Sequence, residues 1–304
     1  MNLKQLLFKA KYLLVIITIT LSACGGSGGE NNADSTGSDT DTSKTIVDET
    51  AAANKKVLTK IPKPSEIPYI IKGTGADFDE KLPNSPESSD KYKTNNTKAA
   101  VNLGIYSTDL GYVVTYEKFQ DAVDYLNAAK GLAEKLGVAN AFEAKTVKRF
   151  QDNLQSVDSL TNIINEAMKK SDDYLKNDER NDIAALIFTG TFLEGLFIST
   201  ELVANYPKDL LPEDARVQIL IPLVRQVLNQ KEPLGELIKA LKSLNDKPEE
   251  VNKLITDLEE LFKMYEKLNI EDKIKKNEGN LILSDETLKG ITQKVNAIRT
   301  DLVN

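Results

Sequence analysis

Glu194 is the side chain in this sequence that most needs a chemical explanation. It lies near the middle of segment 183–204, which is otherwise built from apolar, small and hydroxyl-bearing residues. A carboxylate within such a segment must be paired, hydrogen-bonded or protonated. We predict that its partner is Arg225, which lies inside the apolar stretch 219–228. One interpretation is that this carboxylate acts as a general acid–base or binds a ligand. The other is that it belongs to a structural ion pair or lies at the exposed edge of the helix.

A second group of candidate side chains comprises Asp109, Tyr112 and Tyr116. Their spacing of three and four residues places them on one face of a helix. This face either lines a polar, aromatic ligand-binding pocket or forms a packed helix edge whose hydroxyl groups reach water. Both interpretations are compatible with the sequence.

Composition excludes several kinds of chemistry. The chain has no histidine, one cysteine and no tryptophan, so intramolecular disulfides, Cys/His zinc sites and histidine-based catalysis are excluded. The carboxylates of residues 171–182 lack the spacing and the central glycine of a calcium-binding EF-hand loop. We therefore predict no metal site and no cofactor. The net charge of −7 disfavours nucleic acid as a partner.

The elements that carry these residues are predicted to be helices. From residue 93 to residue 304, apolar residues recur at intervals of three and four, which indicates amphipathic helices. Gly137 is placed to end one of these helices, and the last helix is predicted over residues 285–303. We expect one all-α domain, a helical bundle or short helical array of about eight or nine helices.

Segment 183–204 is long enough to span a membrane, yet the surrounding helices are amphipathic. A helix that is apolar on all sides can equally be the centre of a folded domain. We predict a central helix that is covered by its neighbours. Gly190 and Gly195 would then allow another helix to approach closely.

The N-terminus has the features of an export signal. Three lysines within residues 1–11 precede a short apolar run at residues 12–21. This run is too short to span a bilayer, which needs about 20 apolar residues. The chain here resembles bacterial lipoproteins, whose lipobox is a branched apolar residue, two small residues and a cysteine: Leu21, Ser22, Ala23 and Cys24.

The resemblance implies how the N-terminus is processed. Residues 1–23 would be a signal peptide that is cleaved after Ala23, and the thiol of Cys24 would carry diacylglycerol. Acyl chains on Cys24 would hold the protein to a membrane of the cell envelope. Gly25, rather than aspartate, follows the cysteine, which favours the outer membrane over the inner one in a diderm organism.

Two further segments separate the cysteine from the helical domain. Residues 24–56 are rich in Gly, Ser, Thr, Asn and Asp, and we expect a disordered acidic tether with a reach of roughly 30 Å. Residues 57–92 contain repeated prolines, so we expect an irregular arm without a long helix. The arm either lays Tyr69, Ile70 and Ile71 against the domain or is additional linker.

These expectations favour a non-enzymatic envelope lipoprotein that binds a protein or small ligand through its helical surface. The alternative is a histidine-free, carboxylate-dependent enzyme or a small-ligand-binding protein with a pocket near Glu194. A deep cleft with convergent polar side chains would favour the alternative, whereas a shallow surface with an exposed apolar groove would favour partner binding.

Overall fold

The structure, a computed structural model, describes residues 66–177, 180–206, 212–268, 276 and 286–304. Within these ranges the chain forms ten α-helices and two 3-10 helices, and no β-strand. The predicted signal peptide, Cys24 and the tether lie outside the described residues. All described residues belong to one compact unit.

The helices follow one another with short connections. The α-helices are α1 (Glu66–Gly73), α2 (Asn96–Thr115), α3 (Phe119–Lys135), α4 (Ala144–Asp152), α5 (Val157–Asn177), α6 (Asn181–Asn205), α7 (Glu213–Leu228), α8 (Lys231–Lys242), α9 (Glu249–Lys267) and α10 (Glu286–Val303). The 3-10 helices are η1 (Pro86–Thr94) and η2 (Ala139–Phe142). Nine of these α-helices lie within residues 93–304, so the predicted all-α class and helix number are confirmed.

Helices α2 and α6 form the centre of the fold. They make the most extensive helix pair of the described residues, and α1, α3, α5, α7, α8, α10 and η1 pack around them. Helix α9 packs against α8 and α10. Because α2 and α6 are enclosed on nearly all sides, neither has a polar face that is exposed to solvent, and both sequences lack the pattern of a surface helix.

Helix α6 is the one described helix that is long and apolar enough to cross a membrane. The rest of the molecule buries 94% of its most apolar window. The prediction of a central helix covered by its neighbours is therefore confirmed. This burial also brings the carboxylate of Glu194 into the core.

Two glycines allow α2 and α6 to touch through their backbones. A Cβ atom on Gly190 would lie 1.8 Å from the carbonyl oxygen of Val101, and one on Gly104 would lie 2.1 Å from that of Ile187. No side chain fits at these distances, so both positions require glycine. Close packing was predicted for Gly190, whereas Gly104 was missed.

Helix α3 ends as the sequence predicted. Gly137 has a φ of +71°, and its N–H donates to the carbonyl of Glu134 at 3.1 Å. The N–H of Val138 donates to the carbonyl of Ala133 at 2.9 Å. These two bonds form a Schellman motif, in which the left-handed residue is usually glycine.

The Pro-rich arm packs against the domain within its described part. Ile67 and Ile71 of α1 and Tyr92 of η1 are buried, whereas Tyr69 is 74% exposed. Ile70 is partly buried against the core. Of the two interpretations of the arm, packing is therefore correct for Ile70 and Ile71. We call residues 74–95, which run from the end of α1 to the start of α2, the strap.

Candidate functional site

The polar face of α2 is covered by the strap. Asp109, Tyr112 and Tyr116 lie on this face, as their spacing predicted. The hydroxyl of Tyr116 donates to the carbonyl of Ala76 at 2.8 Å, and the hydroxyl of Tyr112 accepts from the N–H of Asp79 at 3.0 Å. Both tyrosines therefore bind backbone groups of the strap.

A second set of tyrosine contacts lies further along the strap. The hydroxyl of Tyr106 donates to the carbonyl of Ser85 at 2.6 Å. The side-chain amide of Asn84 donates to Tyr106 at 3.2 Å and to Tyr92 at 3.1 Å. Tyr92 in turn donates to the carbonyl of Val303 at 2.8 Å, so the strap is joined to the end of α10 as well as to α2.

Asp109 occupies the centre of this covered face and is fully buried. Its Oδ2 atom accepts the backbone N–H of Asn84 at 3.0 Å. Its Oδ1 atom has no hydrogen-bond donor among the described residues. Buried polar atoms are nearly always satisfied, so this oxygen needs an explanation.

Glu194 is paired with Arg299 of α10. The Nη2 and Nε atoms of Arg299 lie 3.1 Å from the two carboxylate oxygens of Glu194, which is a bidentate ion pair. Nη2 also donates to the carbonyl of Leu82 in the strap at 3.3 Å, and the guanidinium lies 4.6 Å from the centre of the Phe197 ring. The side chain of Glu194 is 0% exposed and that of Arg299 is 13% exposed.

The predicted pairing of Glu194 with Arg225 is therefore wrong. Arg225 is exposed on α7, where Val224 and Val227 are the residues that face the core. The apolar stretch around Arg225 is continuous in sequence, but the helix turns this side chain to solvent. The requirement for a buried counter-charge was correct, and Arg299 meets it.

The two buried carboxyl groups influence each other. Burial raises the pKa of Asp109 well above its usual range, and the charge of Glu194 raises it further. Arg299 and the N–H of Asn84 act in the opposite direction without cancelling the shift. The two carboxyl groups come from neighbouring helices of the centre of the fold, and each is fully buried.

The tyrosines around this pair are held neutral. Burial raises the pKa of Tyr112 to about 12, and burial likewise raises the pKa values of Tyr106, Tyr116 and Tyr125. Neutral tyrosines can donate and accept hydrogen bonds but cannot act as bases. Tyr106, Tyr112 and Tyr116 bind backbone groups of the strap and so hold it in place.

Two open grooves lie along the strap. The larger, of about 700 Å³, runs between the strap and α3, and Phe78, Pro83 and Tyr125 contribute to its walls. The smaller, of about 500 Å³, lies between the strap and the end of α6, near Leu202. Asp109, Glu194 and Arg299 line neither groove. Tyr125 lies between the buried cluster and the larger groove, because it lines the groove and its pKa is raised by burial and then by the charges of Asp109, Asp121 and Glu194.

Within the described ranges, no group of three or more Asp, Glu or Cys side chains is placed to hold a metal ion. Comparison of the chain with protein-family models, curated proteins and solved structures found no match. The site must therefore be interpreted from its own geometry.

Sequence reasoning missed Arg299 and Asn84. A signal for Arg299 was present in α10, where Thr292, Val295, Arg299 and Leu302 follow the spacing of a helix face that packs inward. A cation in such a stripe indicates a buried partner. For Asn84 no comparable signal exists, because the strap has no helical or strand periodicity.

Proposed function

We propose that the mature chain is an envelope lipoprotein, anchored through Cys24, whose helical domain binds a protein partner or small ligand without catalysing a reaction. The observation that carries the proposal is that the carboxyl groups that could do chemistry are bound to other parts of the fold. Asp109 and Glu194 are closed off from solvent and bind the strap and Arg299. The two groups therefore stabilise the fold, whereas a catalytic pair would face a cleft.

Catalysis by a carboxyl group requires that it come within hydrogen-bond distance of the reacting atoms. Both oxygens of Glu194 are occupied by Arg299, and Tyr112 and Tyr116 are occupied by the strap. The two grooves beside the strap remain open to a ligand. Both grooves are open to solvent, which suits contact with a partner better than enclosure of a substrate.

The proposed anchor agrees with this type of function. Two or three acyl chains on Cys24, at about 0.8 kcal/mol for each buried CH₂, would hold the chain to the membrane permanently. The tether of residues 24–56 would let the domain reach roughly 30 Å from the lipid surface. The domain could therefore contact a partner in the envelope without itself touching lipid.

The anchor is tested by moving the thiol. Cells that express the wild type, Cys24→Ala, or Cys24→Ala with Ser27→Cys are labelled with a fatty-acid analogue and fractionated. We expect label and membrane retention in the wild type alone, because the second variant keeps a thiol but loses its place in the lipobox. Unchanged labelling and size in Cys24→Ala would refute the anchor.

The binding role is tested by site-specific photocrosslinking in intact membranes. A crosslinking residue is placed at Glu87 or Asp124, which line the larger groove, and in a matched variant at the exposed Asp158 of α5. We expect one stoichiometric adduct from the groove positions and none from position 158. Equal or absent crosslinking at all three positions would contradict partner binding at the strap.

One observation favours the alternative of a histidine-free enzyme or a small-ligand pocket near Glu194. The pKa of Asp109 is strongly raised and linked to the charge of Glu194, and such shifts often mark groups that exchange protons with a ligand. A ligand could reach them only if the strap moved away. A small molecule whose binding is abolished by Asp109→Asn, with the fold intact, would favour this alternative.

A further inference from the structure

The buried cluster contains two carboxyl groups and one guanidinium. Asp109 comes from α2, Glu194 from α6 and Arg299 from α10, and both carboxyl groups are fully buried. If both were ionised, the cluster would carry an excess negative charge in the core. An unpaired buried charge is strongly disfavoured, and a group in this position is expected to take up a proton instead.

The hydrogen bonds identify where that proton is needed. Glu194 already has a donor for each oxygen, whereas Oδ1 of Asp109 has none among the described residues. Two ionised carboxylates cannot hydrogen-bond to each other, because neither has a hydrogen to donate. A proton on Asp109 that is shared with Glu194 gives the orphan oxygen a partner and removes the excess charge.

The other groups that face the pair do not supply this proton. Arg299 is committed to Glu194, and Tyr106, Tyr112 and Tyr125 remain neutral because burial raises their pKa values. Outside the cluster, the acidic side chains that act on these tyrosines are Asp79 in the strap and Asp121 on α3. Tyr92 of η1 also faces Arg299 and Tyr106.

The same three side chains fasten the strap. Asp109 accepts the N–H of Asn84, and Arg299, held by Glu194, donates to the carbonyl of Leu82. We propose that the strap is a proton-dependent closure, in which one proton shared by Asp109 and Glu194 holds residues 76–85 on α2 and its loss loosens them. This proposal is independent of the lipid anchor and of the partner.

Release of the strap would alter both grooves at once. Phe78 and Glu80 of the strap line the larger and the smaller groove alike. Opening would also uncover the hydroxyls of Tyr112 and Tyr116, which the strap now occupies. The closure would therefore control which polar surface of α2 a ligand could contact.

The direction of the pH effect follows from the raised pKa of Asp109. In the open state Asp109 would lose part of its burial, and its pKa would fall toward the ordinary aspartate value of about 3.9. Closure is therefore strongest below that pH and weakens as pH rises, by up to about tenfold in the opening equilibrium for each pH unit. The weakening stops once pH exceeds the pKa of the closed state.

Hydrogen exchange of the full-length mature chain tests the proposal. Amide protection at Asp79 and Asn84 is measured between about pH 5 and pH 8 and corrected for the intrinsic exchange rate, with amides in the middle of α6 reporting global unfolding. We expect protection of the strap to fall by up to about tenfold per pH unit in the wild type while α6 stays protected. A wild-type strap whose protection is independent of pH would overturn the proposal.

Two variants assign the proton. Asp109→Asn mimics the protonated acid and should abolish the pH dependence, whereas the exposed control Asp158→Asn should leave it unchanged. Glu194→Gln should reduce strap protection at every pH, because Arg299 loses its bidentate partner. If strap protection in Asp109→Asn keeps the wild-type dependence on pH, Asp109 does not hold the proton and the proposal fails. The proposal fails in the same way if the pH dependence is lost in Glu194→Gln but not in Asp109→Asn.

Discussion

Arg299 neutralises Glu194 inside a core that offers almost no water to either group. Removal of one member of a buried pair leaves the other charge without compensation, which typically costs about 3–5 kcal/mol. We expect Arg299→Ala to lower the free energy of unfolding by about this amount. Urea denaturation followed by circular dichroism measures it.

Arg225→Ala provides the matched control, because it removes the same side chain from an exposed position on α7. Exposed substitutions usually change stability by no more than about 0.5 kcal/mol. Equal losses in the two variants would show that Arg299 acts only through the apolar part of its side chain. Restoration of stability by pairing Arg299→Met with Glu194→Met would support the electrostatic cause.

At the scale of single residues, the sequence predicted that Glu194 needs a counter-charge but not that Arg299 supplies it. Glu194 and Arg299 are brought together by the packing of α10 on α6, which no local pattern reveals. Arg225 could have been rejected from periodicity alone. Val217, Leu220, Val224 and Val227 define the buried face of α7, and residue 225 lies off that face.

Helices α2 and α6 cross with their backbones in contact at Gly104 and Gly190. We expect Gly190→Ala and Gly104→Ala each to cost about 3 kcal/mol or more, because the new Cβ would meet backbone atoms that no side-chain rotation can move. Thermal and urea unfolding of the purified variants measures the loss.

Gly290 of α10 is the control for these substitutions. A Cβ on Gly290 would have no neighbour within 4 Å, and alanine favours a helix interior over glycine by about 1 kcal/mol. Gly290→Ala should therefore stabilise the protein slightly. A similar gain from Gly190→Ala would mean that the two helix backbones are not in contact.

The end of α2 repeats the geometry of the end of α3 with an unfavourable residue. Glu117 has a φ of +60°, and the N–H groups of Glu117 and Lys118 donate to the carbonyls of Val114 and Val113. The left-handed conformation costs a non-glycine residue about 1–2 kcal/mol. Glu117 also pairs with Lys72 of α1 at 2.7 Å.

Comparison of Glu117→Gly with Glu117→Ala separates backbone strain from the ion pair. Both variants lose the contact with Lys72, but only glycine relieves the strain. We expect Glu117→Gly to be the more stable of the two by about 1 kcal/mol in denaturant unfolding. Equal stabilities would indicate that the backbone at position 117 is not strained.

The helices were largely predictable from the sequence, whereas the strap was not, and the reason for this difference is physical. Helix periodicity and Gly137 depend on residues close in sequence, so they can be identified locally. The strap depends on backbone groups, such as the N–H of Asn84, that bind the distant Asp109. The sequence signal for this contact lies on α2, where polar residues form a stripe on a helix that is otherwise apolar and enclosed.

For the molecule as a whole, the strap and α1 belong to the folded core. The residues buried in it include Ile67, Ile71, Leu82 and Tyr92, which belong to the segment that the sequence predicted to be an irregular arm. Burial of each such side chain contributes about 1.5–3 kcal/mol. Together they contribute an amount comparable to the total stability of a typical domain.

Two N-terminal truncations test this division of the chain. A variant that begins at residue 66 should unfold cooperatively with the midpoint of the full mature chain, because it keeps every residue that the structure describes. A variant that begins at residue 96 should lose cooperative unfolding and bind a hydrophobic dye, because it also loses the buried side chains of α1 and the strap together with the partners of Asp109 and Arg299. Equal stability of the two variants would mean that residues 66–95 merely lie on a domain that folds without them, and the strap could then not control the conformation of the core beneath it.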